Sequence, residues 1–203
     1  MTIYNVTGII NFAQGEFAML GAMVLVSLGP LGLPLPVGVT VAVAAVTLSG
    51  ALVERLTIHP ARGASPVTLI IITIGVDIAI RGIGLLIWGT DPYPLPPFTA
   101  GPPLRVAGAI ITRQGVWILG TTALILAFLY VFFEHTYPGK TLRACAINPL
   151  SARLSGIRPD RMSLLAFALS AGLGAVAGIV IAPLTLVSYD MGLYLGLRGF
   201  IAA

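Results

Sequence analysis

From Phe17 to Val53 the chain carries no Asp, Glu, Lys or Arg. No water-soluble domain has a place for such a stretch. It is also too long for one membrane crossing, which takes ~20 mostly apolar residues as a helix. It is punctuated by Gly29, Pro30, Gly32, Pro34 and Pro36. Clustered Pro and Gly between two apolar runs make a turn, because neither residue continues a helix well. The stretch therefore divides into one helix over about Val6–Leu28 and a second over about Leu35–Arg55.

Composition extends this conclusion to the whole chain. Of 203 residues, 57% are hydrophobic and 9% are charged, against ~25% charged in an ordinary soluble domain. Eleven Lys and Arg with seven Asp and Glu cannot cover a water-facing surface of this size. A soluble enzyme is excluded, and so is a disordered chain, which needs low hydrophobicity and high charge. The net charge of +4 does not point to nucleic acid, because the basic residues are thinly spread and cluster in only one loop. Cys145 is the single cysteine, so an intrachain disulfide is impossible. Asn5, Asn11, Gln14 and Glu16 interrupt the start, which therefore does not read as a secretory signal.

Three more spans follow: Pro66–Trp88, Gln114–Phe133 and Met162–Val187, each approximate. Pro66 suits a first helical turn, where its missing N–H costs nothing. Residues 54–65 read as a short polar loop and 91–113, with six prolines, as an extended one. A polar loop covers 134–161, and an apolar element starts after Tyr189. The expected fold is all-α: a polytopic membrane helix bundle of about five complete spans plus the start of a sixth element. Lys140, Arg143, Arg153, Arg158 and Arg161 make the loop at 134–161 the most basic. Short basic loops stay in the cytoplasm. Loops 54–65 and 134–161 are thus expected inside, and 29–36 and 91–113 outside. Cys145 then falls on the reducing side.

Small and polar residues are patterned within the spans. Ala166, Ser170, Gly174, Gly178 and Ala182 recur every four residues and form one stripe, which lets helix backbones approach closely in lipid. Packing within one subunit, or a subunit or gating contact, would both use it. In the first helix, at ~100° per residue, Gly8, Asn11, Gly15, Ala18 and Ala22 share a face, with Gln14 at its edge and Glu16 pointing away. A carboxylate at the bilayer centre costs ~2.5–3.5 kcal/mol on insertion scales, so Glu16 must meet protein or water or lie near an interface. Gly8, Gly15 and Gly21 would permit a helix break. Asn11, Gln14, Gly15 and Glu16 therefore read either as part of a translocation pathway or gate, or as polar glue between helices. Asp77 and Arg81, spaced i, i+4 with the acid first, suit an intramembrane ion pair.

No catalytic constellation is present. His59 and His135 lack partners at metal-ligand spacing, so no metal is expected. Gly139-Lys140-Thr141 resembles only the tail of a phosphate-binding loop and lacks its first glycine. The cytoplasmic loop is more informative. It reads as a short helix over Lys140–Ala146, a break at Asn148-Pro149, a second short helix to Leu154, and Gly156 in the left-handed position that ends a helix. Leu142, Ala146, Leu150 and Leu154 would form a docking face flanked by Arg143 and Arg153. A mere connection could be far shorter, so a cytoplasmic partner is expected.

The run Lys140–Ile157 resembles the coupling loop of the membrane permeases of ATP-binding-cassette importers for branched-chain amino acids. The resemblance extends to Gly8-Ile9-Ile10-Asn11-Phe12-Ala13-Gln14-Gly15-Glu16-Phe17-Ala18-Met19-Leu20-Gly21. It also takes in Arg62-Gly63-Ala64-Ser65-Pro66 with Ile72-Thr73-Ile74-Gly75, and the small-residue fifth helix to Pro183. It covers nearly the whole chain in the family's order and is nearest to the first of the two paired permeases. It implies one permease domain over 1–203 in a prokaryotic cytoplasmic (inner) membrane, with a docking loop at 134–161. It implies alternating access driven by two separate ATPase subunits, a second permease, and a periplasmic or extracellular binding protein that delivers the amino acid. ATP and Mg would be bound by the ATPases and no cofactor by this chain. The ATPase-coupling residues would be Gly139, Lys140, Leu142, Arg143, Ala144, Ala146, Ala152, Arg153, Leu154 and Gly156. Members of the family usually have a further helix before Tyr4 and more after Ala203, so the chain is expected to be truncated at both ends. Asp77 departs from the small polar residue more usual there. The competing readings are a stand-alone or ion-coupled carrier or channel, and an inactive permease fragment.

Overall fold

The computed structural model describes residues 11–61, 63–106 and 109–201. Helix α1 spans Gln14–Leu28 and passes into a 3-10 turn at Gly29–Leu31. Helix α2 is Leu35–Val53, with Pro36 in its first turn. It continues as a wider π-helical turn, Glu54–Ile58, in which the His59 N–H reaches the Glu54 carbonyl at 2.7 Å. Helix α3 is Pro66–Trp88, and its Ser65 cap accepts from the Thr68 N–H at 3.3 Å. Strands β1, Leu104–Val106, and β2, Ala109–Ile111, pair antiparallel. Helix α4 is Arg113–His135, α5 Tyr137–Ile147 and α6 Pro149–Leu154. Helix α7, Pro159–Ile181, ends in a 3-10 turn at Ala182–Leu184, and α8 is Met191–Ile201. Five of these helices, α1, α2, α3, α4 and α7, some with their adjoining turns, are long and apolar enough to cross a membrane.

Four expectations need correction. The first helix does not run unbroken from Val6 to Leu28. Residues 11–13 form a turn and the helix begins at Gln14, while Val6 to Ile10 lie outside the described residues. Asn11 drives the break, because its Oδ1 accepts the Ala13 N–H at 3.2 Å and competes with helical hydrogen bonding. The second helix does not give way to a loop at residue 54. It runs on to Ile58, and Glu54 is fully buried rather than solvated. The loop at 91–113 is not wholly extended: it holds the β1–β2 hairpin and is tied down. Tyr93 and Val187 exchange both backbone hydrogen bonds, at 2.8 and 2.9 Å. The fifth span starts earlier and ends earlier than Met162–Val187, since Pro159 can open a helix and Pro183 sits in the closing 3-10 turn.

Helix α1 lies at the centre. It packs on α7 through Phe17, Ala171 and Ala175, joined by Val46 of α2. Met19, Met23, Val187 and Met191 form a second buried cluster with Ala22 and Ala182. By contrast, α3 and α4 expose rows of large apolar side chains, among them Ile78, Leu86, Leu119 and Leu124. Such rows are tolerable against lipid or another protein and costly in water. Helix α5 lies outside these spans and folds back between α4 and α7, where the Thr141 hydroxyl contacts Met162 Sδ at 3.2 Å.

Candidate functional site

Three charged side chains meet where α1 and α3 touch. Arg81 Nη2 donates to Asp77 Oδ2 at 2.5 Å and to Glu16 Oε1 at 3.3 Å. Asp77 and Arg81 are brought together by one helical turn of α3. Glu16 comes from the first turn of α1, where the helix N-terminus favours a carboxylate. Glu16 is completely buried, and the Arg81 side chain keeps 23% of its exposure. Asp77 is the eleventh residue beyond Pro66 in a 23-residue helix, so the cluster sits near mid-span. Charges at that depth persist only when paired or facing protein or water. Sequence spacing pointed to Asp77 with Arg81 and left Glu16 without a partner. The structure makes Glu16 the third member.

Helix α8 closes the other side of Glu16. A Cβ at Gly192 would lie 2.7 Å from Glu16 Oε2, so a side chain there would have to displace the carboxylate. A Cβ at Gly15 would lie 2.0 Å from the Gly192 carbonyl oxygen, and Gly196 faces Gly15 one turn further on. Gly192 and Gly196 escaped the sequence reading, although their small-x-x-x-small spacing is the signal that would have found them. Gln114 was missed too. It is buried at the start of α4, accepts from the Phe98 N–H at 3.3 Å and donates to the Val180 carbonyl at 2.8 Å, fixing the 91–113 loop to α7.

The other polar residues of α1 face elsewhere. Gln14 is locked to α7: its Nε2 donates to the Ser170 carbonyl at 3.1 Å, and the Ser170 hydroxyl donates to its Oε1 at 2.6 Å. The small-residue stripe of α7 is turned to α1 along much of its length. A Cβ at Gly178 would lie 2.0 Å from the Ala18 carbonyl, and one at Gly174 would lie 3.2 Å from Gln14 Nε2. Ala166 and Ala182 are fully buried. The stripe thus packs inside this chain.

The basic loop forms a second site. Thr136 caps α5 by accepting the Gly139 N–H at 3.2 Å, and Asn148 caps α6 by accepting from Leu150 and Ser151 at 3.0 Å each. Gly156 has φ +80°, the left-handed position expected of it. Leu142, Ala146, Leu150 and Leu154 do not form one face, because the Asn148 cap turns the chain between the two helices. Leu142 is fully buried, as are Gly139 and Ala152. A Cβ at Gly139 would lie 2.0 Å from the Phe132 carbonyl, so glycine is a packing requirement there. Ala144 and Ala146 are half-buried. Ile147 at 84%, Leu150 at 67% and Leu154 at 84% are exposed instead, as are Lys140, Arg143 and Arg153. Arg143 also pairs with Glu134. Cys145 is buried, and burial pushes its thiol pKa up. Among the described residues no group of His, Cys, Asp and Glu is placed to hold a metal.

Known proteins share this sequence along its length. The family described as branched-chain amino acid transport system / permease component matches residues 1–203. The high-affinity branched-chain amino acid transport system permease protein LivH of Escherichia coli (strain K12) is 29% identical over 217 residues, covering 99% of this chain and 70% of LivH. The corresponding permease protein BraD of Pseudomonas aeruginosa is 26% identical over 215 residues, with the same coverage of 99% and 70%. The xylose/arabinose import permease protein XylH of Sulfolobus acidocaldarius is 30% identical over 114 residues, 56% of this chain and 30% of its own. No solved structure matches the chain.

Proposed function

Because the chain belongs to the family of branched-chain amino acid transport system permease components, we propose that it is a membrane-spanning subunit that moves branched-chain or related amino acids inward by alternating access, driven by separate ATPases. We read residues 1–203 as one permease domain in the inner membrane of a prokaryote, with loops 54–65 and 134–161 in the cytoplasm. A second permease completes the pathway, and an external binding protein delivers the amino acid. ATP and Mg are bound by the ATPases, and this chain binds no cofactor and hydrolyses nothing itself.

The observation that carries the reading is the solvent-facing apolar group Ile147, Leu150 and Leu154 outside the spans. A connection between α4 and α7 has no use for three exposed aliphatic side chains held on two capped helices. A docked protein does, because burying each is worth roughly 1.5–3 kcal/mol. The exposed Lys140, Arg143 and Arg153 suit a partner with acidic groups at its rim. The coupling surface is therefore the set Lys140, Arg143, Ile147, Leu150, Arg153 and Leu154. Gly139, Leu142, Ala144, Ala146, Ala152 and Gly156 support the shape of the loop. An ion-coupled carrier would use the mid-span charges and leave the loop's apolar surface without a role.

Replacing Leu150 and Leu154 together with Glu tests this. The expected result is loss of a co-purifying P-loop ATPase with the membrane protein still folded. Undiminished co-purification contradicts docking at this surface.

A further inference from the structure

The Glu16–Asp77–Arg81 cluster has more bonding capacity than it uses. With all three groups ionised it carries two negative charges and one positive. Two of its buried atoms have no partner among the described residues: the carboxyl oxygen Glu16 Oε2 and the guanidinium nitrogen Arg81 Nε. A buried polar atom without a partner is costly, and two in one cluster point to a ligand that bonds both. The guanidinium can be reached, since the Arg81 side chain is 23% and that of Asp77 10% exposed. At mid-span this exposed part cannot face hydrocarbon cheaply, so it faces protein or a water-filled path.

A zwitterionic α-amino acid offers an ammonium and a carboxylate on neighbouring atoms. We propose that this cluster is a transient binding position for that head group, with the ammonium at Glu16 Oε2 and the carboxylate on the Arg81 guanidinium. The proposal rests on reading the chain as an amino-acid importer subunit and names the substrate groups its path recognises. Gly192 covers Oε2 in this structure, so occupancy requires α8 to move off the carboxylate. Helix α8 meets Gly15 through glycine backbone and also buries Met191 against Met19 and Met23, so the movement must carry Met191 with it. Every α-amino acid shares this head group, so the position does not distinguish side chains.

The test measures equilibrium binding of radiolabelled L-leucine to the membrane complex in nanodiscs without the external binding protein, and leucine uptake by the same complex in proteoliposomes with that protein. Leucinamide, which lacks the carboxylate, and 4-methylpentanoate, which lacks the ammonium, are the competitors. Each should compete roughly tenfold or more weakly than leucine, as expected for loss of a charge-assisted hydrogen bond. Glu16→Gln should weaken leucine by a similar factor and leave 4-methylpentanoate unchanged, which a general loss of structure would not do. If Glu16→Gln fails to assemble, the competitor series on the unaltered complex decides alone. Competition by 4-methylpentanoate equal to leucine overturns the proposal. So does leucine binding unchanged in Glu16→Gln, or no leucine binding by a complex that takes leucine up. A complex that takes up no amino acid at all overturns the importer reading itself.

Discussion

One nitrogen of Arg81 serves two carboxylates, Asp77 and Glu16. Removing the cation leaves two acids near mid-span without a counter-charge, and breaking a buried pair from one side costs about 3–5 kcal/mol. Arg81→Met should therefore sharply lower the yield and thermal midpoint of folded protein. Asp77→Asn should cost less, because Arg81 keeps Glu16. Equal stability of Arg81→Met and the parent protein contradicts this account. Cys145 gives a chemical prediction. Burial hides the thiol and raises its pKa, so less thiolate is present at any pH below that value, and the thiolate is the reactive form. N-ethylmaleimide at neutral pH should label the folded protein far more slowly than the denatured chain, and equal rates would show the thiol to be accessible. At this scale the Asp77–Arg81 pair was legible because one helix fixes its spacing. The place of Glu16 was not, since its partner lies 65 residues away on another helix, and sequence periodicity carries no information between helices.

Between elements, contact is governed by where side chains are absent. Gly178 lets α7 meet the Ala18 carbonyl, and Gly15 lets α1 meet α8. A methyl at Gly178 would have to push helices apart, an overpacking cost of about 1–3 kcal/mol. Gly120, in exposed mid-α4, has open space beside it, and Ala there gains roughly 0.5–1 kcal/mol of helix propensity. Gly178→Ala should lower the thermal midpoint and Gly120→Ala should hold or raise it; the reverse order would mean that α1 and α7 do not pack as described. The four-residue period made the α7 stripe readable. Its partner helix was not, because any helix with a small face could answer it. The start of α1 at Gln14 was hidden for a different reason: Asn11 ends helical bonding locally, while the surrounding residues are as apolar as the helix itself. The 134–161 loop was misread in a third way. Its break at Asn148-Pro149 was legible, but the relative orientation of the two short helices was not, and Leu142 is buried while Leu150 and Leu154 stay exposed.

For the molecule as a whole, hydropathy determined a polytopic helical membrane protein, and the five helices long and apolar enough to cross among the described residues agree with it. What such patterns could not reach is the placement of the two candidate sites. At mid-span a charge cluster is held between α1 and α3 and covered by α8. Outside the spans, Ile147, Leu150 and Leu154 face solvent on a loop that α5 anchors between α4 and α7. The account joins these as the substrate side and the energy side of one importer. Uptake of radiolabelled L-leucine by the reconstituted complex, with ATP supplied on the side of the 134–161 loop, tests that join most directly. The account predicts uptake that requires ATP and is lost when Leu150 and Leu154 are changed to Glu. Leucine uptake that proceeds without ATP on an ion gradient, or that survives the double substitution undiminished, would contradict it.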